Sequence, residues 1–440
     1  MAPRGLSTYE AAMAAGGLES LTGTPTVISC AVHMARMPSR QALHDLITHH
    51  LVKFDTFASR PVNGKWVPVE SLDVKQHLFF VEVRTEADLL AWMEAAMLKP
   101  LVNKQNGPWW EIHAVSTADG QAWLFFRVEH VCADGVGLSQ VLSRVATMLD
   151  GSPLPAAAYA KRPKPEVNFC ATACAAIKCA IKYAVLPFGV FDSDLPFSPP
   201  RSERTRGLNF RGPRRLLKVP PHSLETIKRI KEAAGGTTTV NDVVYAAFTY
   251  ALRRYCLMRE EKGTSAAKVG SSTRARVLVP VAFPRPADSP LVNDWTFVNS
   301  ELPISETTPQ AMLAKANKTF DELKQSPEAK VSQLAVAANA NNPTCMFAMA
   351  AQQLFSRHSF VYSNVPGPTS RLKVAGEEVL EIWPIFPNLI SQLLCVSYAG
   401  KMYMTIVLDA SVVTEAEVLP NYYLEALREL AQSYGVKSAV

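Results

Sequence analysis

The segment from Ala122 to Leu142 contains the residues whose types and spacing are best suited to chemistry. Gly135 and Gly137 predict a tight turn into a helix directly after a strand that ends near His130. Side chains alternate between the two faces of a strand, so His130 shares its face with four apolar residues, namely Ala122, Leu124, Phe126 and Val128. A histidine at the end of such a row can line a pocket and act as a general base. A purely structural histidine is the alternative interpretation.

Two further stretches contain residue types that could do chemistry. Cys132 lies two positions after His130, but nothing beside it marks its thiol as an activated nucleophile. The run His49 to Asp55 has four residues between His50 and Asp55, no glycine after them, and a position at a predicted helix end. We therefore expect no covalent role for Cys132 and a structural role for His49 and His50.

The run from His130 to Gly135 matches the HxxxDG motif of the coenzyme A-dependent acyltransferase superfamily. Six further blocks, in the same order along the chain, resemble the wax ester synthase/diacylglycerol acyltransferase branch of that superfamily. These blocks are Pro108–Trp110, Leu186–Leu195, Val240–Val244, Arg276–Val281, Ser363–Pro368 and Val396–Gly400. Two positions depart from the family pattern. Glu129 stands where the family usually has a first histidine, and Trp109 replaces the leucine of a Pro-Leu-Trp element.

The resemblance implies two chloramphenicol acetyltransferase-like domains of class α/β (α+β), joined by a crossover linker. It also implies an acyltransferase that uses acyl-coenzyme A as co-substrate, with no cofactor and no metal. His130 would take the proton of a hydroxyl group as its oxygen attacks the thioester, so that no acyl-enzyme is required. The expected acceptor is a long-chain alcohol or diacylglycerol, which yields a wax ester or triacylglycerol. The alternatives are an HxxxD acyltransferase for another alcohol or amine, and a non-catalytic lipid-binding relative.

The resemblance assigns roles to further residues. Asp134 is expected to turn away from His130 and pair with an arginine, so that it and Gly135 shape the site. Asn241 lies at a predicted helix start, where its amide could stabilise the oxyanion of the tetrahedral intermediate. A helix cap is the alternative role for Asn241. Four residues are expected to line the substrate channel: Trp109, Trp110, Ser363 and Asn364.

Strand and helix patterns alternate along the chain, which favours an α/β class. Strands are predicted at 25–34, 77–83, 122–130, 275–282, 360–363, 393–398 and 402–408. Helices are predicted at 40–51, 86–97, 137–149, 222–234, 239–258 and 415–434. Seven prolines between 163 and 213 predict a linker there. The expected organisation is therefore an N-terminal domain at 1–155, a linker at 156–215 and a C-terminal domain at 216–440.

The composition is that of an ordinary globular protein, with 48% hydrophobic and 19% charged residues among 440. No apolar run reaches the ~18 residues that suggest a transmembrane helix. The eight cysteines form no CxxC pair, which favours reduced thiols in a cytoplasmic protein. No nucleic-acid partner is expected.

Positive charge is concentrated in residues 161–218, which carry twelve basic and four acidic residues, while the whole chain has a net charge of +6. Lys178 and Lys182 are one helical turn apart within the apolar stretch Val167 to Phe191. We expect this segment to dock peripherally on a membrane or lipid-droplet surface, at the endoplasmic reticulum or lipid droplets if the cell is eukaryotic. A solvated basic loop with a helix packed between domains is the alternative.

Overall fold

A computed structural model describes residues 4–16, 19, 23, 25–155, 174, 176–181, 189–207, 212–264, 268–283, 285–286, 288–340 and 343–437. A seven-stranded sheet forms the centre of the first half. In spatial order its strands are β5 (Leu78–Val83), β6 (Trp110–Thr117), β7 (Ala122–Glu129), β2 (Val27–Met34), β14 (Glu377–Ile385), β13 (Leu372–Val374) and β8 (Ala146–Met148). Its buried residues merge into one apolar core. The strand predicted to end in His130 is therefore central, with a paired neighbour on each side.

A six-stranded sheet forms the centre of the second half. In spatial order its strands are β11 (Trp295–Glu301), β10 (Arg276–Ala282), β12 (Phe360–Val365), β15 (Gln392–Tyr398), β16 (Lys401–Asp409) and β9 (Arg214–Ser223). Strands β10, β12 and β15 run parallel to one another. A small three-stranded sheet joins β1 (Arg4–Gly5), β4 (Lys65–Pro68) and β3 (Ser59–Val62). The mixture of parallel and antiparallel strands with helices confirms the predicted α/β class.

The helices cover the two sheets. They are α1 (Thr8–Ala14), α2 (Arg40–His49), α3 (Glu86–Met97), α4 (Gly135–Val145), α5 (Arg201–Arg206), α6 (Leu224–Ala234), α7 (Val240–Glu261), α8 (Pro309–Gln325), α9 (Glu328–Ala340), α10 (Thr344–Ser356) and α11 (Leu419–Ser433). Helix α7 is buried along most of its length and belongs to the second apolar core. Short 3₁₀ turns occur at 51–53, 55–57, 74–76 and 416–418.

The second half of the chain supplies two strands to the first sheet. Strand β14 pairs antiparallel with β2, with Trp383 opposite Ala31, and β13 connects β14 to β8. The domain boundaries at 155 and 215 stay a prediction. A division into contiguous segments does not account for the two strands that the second half contributes to the first sheet. This pairing ties the two halves together one strand away from β7, which leads to His130.

Several predicted boundaries were wrong. The helix predicted from His222 begins at Leu224, because residues up to Ser223 belong to β9. The helix predicted to end at Leu149 ends at Val145, and the chain continues into β8. Strand β9 contains two consecutive prolines, which cannot donate ladder hydrogen bonds and lie where the register with β16 shifts. A strand that contains prolines at such an irregularity is not recognised from its composition, so β9 was not predicted.

The predicted linker is only partly described. Residues 156–173, 175, 182–188 and 208–211 lie outside the described residues, and with them much of the apolar stretch and Lys182. Residues 176–181 are helical, and the Ile177 and Ile181 side chains are exposed. Arg204 and Arg214, two of the basic residues in the segment predicted to dock on a membrane, are buried. Arg204 donates to the Asp192 carbonyl at 2.9 Å, and Arg214 pairs with Asp409 at 3.1 Å. Within the described ranges no helix is both long and apolar enough to cross a bilayer.

Candidate active site

His130 lies immediately after β7 and is held there by its backbone. Its N–H donates to the carbonyl of Thr26 at 2.8 Å, and the preceding N–H of Glu129 donates to the carbonyl of Trp109 at 2.9 Å. The imidazole is partly buried between the rings of Trp295 and Phe386, whose centroids are 5.2 and 5.6 Å away. Burial lowers the pKa of His130 below its ordinary value of 6.5, so the imidazole is neutral at pH 7. A neutral, partly accessible imidazole can accept a proton.

Asn293 sets the orientation of the His130 ring. Its Nδ2 donates to the carbonyl of Val131 at 2.8 Å, which leaves its Oδ1 facing the Nδ1 atom of His130 at 3.0 Å. The indole N–H of Trp295 also donates to this Oδ1, at 3.3 Å. Because an amide oxygen only accepts, this network assigns the proton to Nδ1 of His130 and leaves Nε2 as the basic nitrogen.

The Asp134 carboxylate is bound by groups other than the imidazole. Its carboxylate pairs with Arg285, with 2.9 Å between Oδ2 and Nη1, and accepts the backbone N–H groups of Gly137 at 2.8 Å and Asp294 at 3.0 Å. Arg285 is thus the arginine that the sequence left unassigned. A Cβ on Gly137 would lie 3.0 Å from the Ala133 Cβ and 3.3 Å from the Arg285 guanidinium, so a side chain here would force its neighbours to shift. Asp134 therefore caps α4 and joins the turn after His130 to the second half of the chain.

Gly135 and β12 meet beside the same turn. A Cβ on Gly135 would make an ordinary contact with Val365 at 3.6 Å. Ser363 and Asn364 lie two and one residues before Val365, and both side chains are partly exposed. The end of β12 is therefore next to the HxxxDG turn, which is where a channel lining is expected. That role stays a prediction for both residues.

Asn241 is the second residue of α7, and it does not cap that helix. The cap is Thr239, whose hydroxyl accepts the Asp242 N–H at 3.3 Å while the Asp242 carboxylate accepts the Thr239 N–H at 2.8 Å. The capping alternative for Asn241 is therefore wrong. Its Oδ1 accepts from the Asn364 amide at 3.4 Å, and no described residue accepts a hydrogen bond from its Nδ2. No hydrogen bond between described residues joins Asn241 to His130.

The two tryptophans expected in the channel lie in the apolar core of the first half. Trp110 is 1% exposed and donates its indole N–H to the carbonyl of Phe57 at 2.9 Å. Trp109 donates its indole N–H to the carbonyl of Lys104 at 2.8 Å, and its own carbonyl supports Glu129. Trp109 thus supports the His130 turn from behind, and contact of either ring with substrate stays a prediction.

Cys132 and Glu129 fill the space behind the histidine. The Cys132 thiol is fully buried and donates to the Trp109 carbonyl at 3.6 Å. Burial raises the pKa of Cys132 well above its ordinary value, so it stays a thiol and is a poor nucleophile. Glu129 pairs with Lys104 at 2.7 Å and accepts the Thr26 hydroxyl at 3.0 Å. The residue that replaces the family's first histidine is thus a buried carboxylate in an ion pair with a partly exposed lysine.

Three residues of the site were not found from the sequence: Asn293, Arg285 and Trp295. Asn293 is separated from His130 by 163 positions and Arg285 from Asp134 by 151. The available signal was the polar pair Asn293-Asp294 at the head of a strand, which gives no hint of its spatial partner. Among the described residues, no group of three or more His, Cys, Asp and Glu side chains could hold a metal ion.

Comparisons with known proteins show what this chain is similar to. The family model described as WS/DGAT C-terminal domain matches residues 292–431, which include Asn293. A Mycobacterium tuberculosis protein named "Probable diacyglycerol O-acyltransferase tgs1" is 23% identical over 389 residues, covering 83% of this chain and 81% of that protein.

Two solved structures share the fold. The wax ester synthase/diacylglycerol acyltransferase from Marinobacter aquaeolei VT8 superposes with a TM-score of 0.65 at 20% identity, covering 98% of this chain and 100% of that chain. A variant starter condensation domain of rhizomide synthetase RzmA, in complex with C8-CoA, gives a TM-score of 0.61 at 11% identity, with 98% and 95% covered. At these identities the likeness concerns the fold, and it confirms the expected two-domain chloramphenicol acetyltransferase-like architecture.

Proposed function

We propose that this chain is a member of the wax ester synthase/diacylglycerol acyltransferase family and that it transfers a fatty acyl group from acyl-coenzyme A to the hydroxyl of a long-chain alcohol or diacylglycerol. His130 is the general base of this reaction. The observation that carries the proposal is the 3.0 Å hydrogen bond between His130 Nδ1 and Asn293 Oδ1, which leaves a neutral imidazole with a basic Nε2. The products would be a wax ester or triacylglycerol.

The reaction needs both substrates bound at once. Nε2 of His130 accepts the hydroxyl proton as the acceptor oxygen attacks the thioester carbonyl, and a tetrahedral oxyanion forms. Collapse of this intermediate breaks the carbon–sulfur bond, and the departing thiolate of coenzyme A takes the proton from the imidazolium. The Asn241 amide, whose Nδ2 donates to no described residue, is the proposed donor to the oxyanion, and such a donor lowers the barrier by ~2.7–4 kcal/mol.

The surroundings of His130 support a lipid acceptor rather than a small polar one. The imidazole packs against the rings of Trp295 and Phe386, and Trp295 in turn packs against Tyr9 and Phe297. An apolar wall of this kind favours an alkyl chain beside the reacting hydroxyl and excludes water from the thioester. Higher turnover with short polar alcohols than with hexadecanol would contradict this choice of acceptor.

The function is tested with purified protein, palmitoyl-coenzyme A and hexadecanol, repeated with diacylglycerol in place of the alcohol. We expect ester formation with at least one acceptor and its loss in His130→Ala, whose Tm should stay near that of the wild type. His50→Ala is the matched control, because His50 is exposed at a helix end and should keep full turnover. Wild-type turnover in a folded His130→Ala protein would falsify the assignment of the base.

Peripheral docking on a membrane or lipid-droplet surface is the second part of the proposal. It is supported by the exposed Ile177 and Ile181, which lie one helical turn apart next to the exposed Lys178. Flotation with anionic liposomes should decrease when both isoleucines are changed to serine. Leu334→Ser is the control, because Leu334 is equally exposed on a different helix. Equal flotation of the double variant and the wild type would remove this segment as the anchor.

A further inference from the structure

A cavity of about 250 Å³ lies between the two sheets, away from His130. It is bounded by α3 and by residues of both sheets, including Trp123 of β7 and Lys218 of β9. Trp123 is seven positions before His130 and on the opposite face of β7, so at ~3.3 Å per residue the two side chains are ~23 Å apart along the strand. The cavity is therefore a second site, separate from the proposed catalytic centre.

The inner walls of this cavity are apolar. They are formed by Ala31, Leu89, Leu90, Met93, Leu216 and Ile385. The volume is slightly below the ~300–1,000 Å³ of typical small-molecule sites, which favours a single alkyl chain over a coenzyme. These six side chains carry no hydrogen-bonding group, and Thr405, which also lines the cavity, donates its hydroxyl to the carbonyl of Pro384, so a ligand must place its polar end at the mouth.

The mouth of the cavity contains the ammonium group of Lys218, which is paired with a single exposed carboxylate. Lys218 Nζ lies 4.5 Å from the ring centroid of Trp383 and 5.1 Å from that of Trp123, so the amine is held over two aromatic faces. Its nearest anion is the Glu86 carboxylate at 3.5 Å, which is 65% exposed. No hydrogen bond from Lys218 Nζ to a described residue occurs. The ammonium group can therefore donate to a ligand.

The first turn of α3 reaches the same mouth. Glu86 and Ala87 line the cavity, and α3 begins there with a capping box formed by Thr85 and Asp88. The amino-terminal end of a helix favours negative charge. A second acid, Glu381, is occupied by the indole N–H of Trp383 at 2.8 Å. The Asp88 carboxylate of the capping box already supplies negative charge at this terminus. An anion at the mouth would therefore meet Lys218 and would compete with Glu86 for its ammonium group.

We propose that this cavity binds a free fatty acid, with the alkyl chain between the apolar walls and the carboxylate on Lys218. The site bridges residues of both sheets, because Lys218 pairs in register with Thr405 of β16 while Trp383 belongs to β14 of the first sheet. The inference does not depend on ester formation, since it concerns binding in the absence of coenzyme A.

The test is calorimetric titration of the full chain with decanoate, decanol and decyltrimethylammonium, each below its micelle concentration and without coenzyme A. We expect decanoate to bind more tightly than the other two. Lys218→Met keeps the apolar stem and removes the charge, so decanoate binding should weaken about tenfold. Lys401→Met, which removes an exposed lysine elsewhere on the same sheet, should change nothing. Glu86→Gln removes the competing carboxylate and should tighten binding several-fold.

Leu90→Trp provides a second variant that leaves the Lys218 charge in place, because Leu90 is only partly buried and a larger ring would fill the cavity. Loss of decanoate binding in this variant, together with the effect of Lys218→Met, supports the site. Equal binding of decanol and decanoate overturns the role of Lys218. Decanoate binding that neither variant weakens places the ligand elsewhere, for example in the acyl channel, and overturns the proposal. Ester formation in the assay above stays informative in every case, because no residue changed here belongs to the proposed catalytic centre.

Discussion

Replacement of Asn293 tests whether the amide sets the tautomer of His130. Asn293→Ala removes the acceptor 3.0 Å from Nδ1 and the donor 2.8 Å from the Val131 carbonyl. One neutral hydrogen bond contributes ~0.5–1.5 kcal/mol, and ~1.4 kcal/mol corresponds to tenfold in rate. Only the bond to Nδ1 acts on the base, so kcat should fall about tenfold. The lost bond to Val131 should appear separately, as a loss of ~1 kcal/mol in the free energy of unfolding.

Asn293→Asp provides a sharper readout of the same contact. A carboxylate still accepts from Nδ1, but its charge stabilises the imidazolium and raises the pKa of His130. The acid limb of the pH–rate profile should therefore move to higher pH in Asn293→Asp. Asn299→Ala is the matched control, because Asn299 lies farther along β11 and no contact joins it to His130 among the described residues. An unchanged kcat in folded Asn293→Ala, with an unmoved acid limb in Asn293→Asp, would refute the reasoning.

Three further predictions concern the same site. In the wild type, kcat/KM should fall only below about pH 6.5, because burial lowers the pKa of His130 and protonation removes the proposed base. A midpoint above pH 7 in the pH–rate profile would contradict this. Asp134→Ala and Arg285→Met should each lower both turnover and Tm, since breaking a buried ion pair costs ~3–5 kcal/mol, and thermal denaturation with unchanged Tm would argue against it. Asn241→Ala should lower kcat about 100-fold with little loss of Tm. Thr239→Ala should instead cost ~1 kcal/mol of stability with little loss of kcat. The reverse pattern would exclude Asn241 as the oxyanion donor.

Local patterns were sufficient for much of the fold. The helix predicted at 86–97 has these bounds in the structure, because its capping box and apolar spacing all lie within one short stretch. The strand before His130 was likewise evident from alternation. Helix α8 was not predicted, although Thr308 caps it and Pro309 occupies its first turn, so its signals were present in the sequence. The exchange of β13 and β14 leaves no local trace, since strand pairing depends on distant partners.

The proposed site could likewise be predicted only in part from the sequence. His130 and Asp134 belong to one short motif on a strand and its turn, and both were identified from sequence. Their partners Asn293 and Arg285 come from the segment before β11, and only folding brings them within hydrogen-bonding distance. A motif on one segment points to the proposed base, whereas its hydrogen-bonding partners are defined by tertiary contacts.

The strand exchange has a consequence for how the chain is made. Strand β2 pairs with β7 on one side and with β14 on the other, so its second edge stays open until residues 377–385 leave the ribosome. An open edge of a central, apolar strand is a template for pairing with other chains. The sheet of the first half therefore cannot be completed until nearly the whole chain has been synthesised. A fragment that ends near residue 215 would keep that open edge permanently and should aggregate rather than behave as an independent domain.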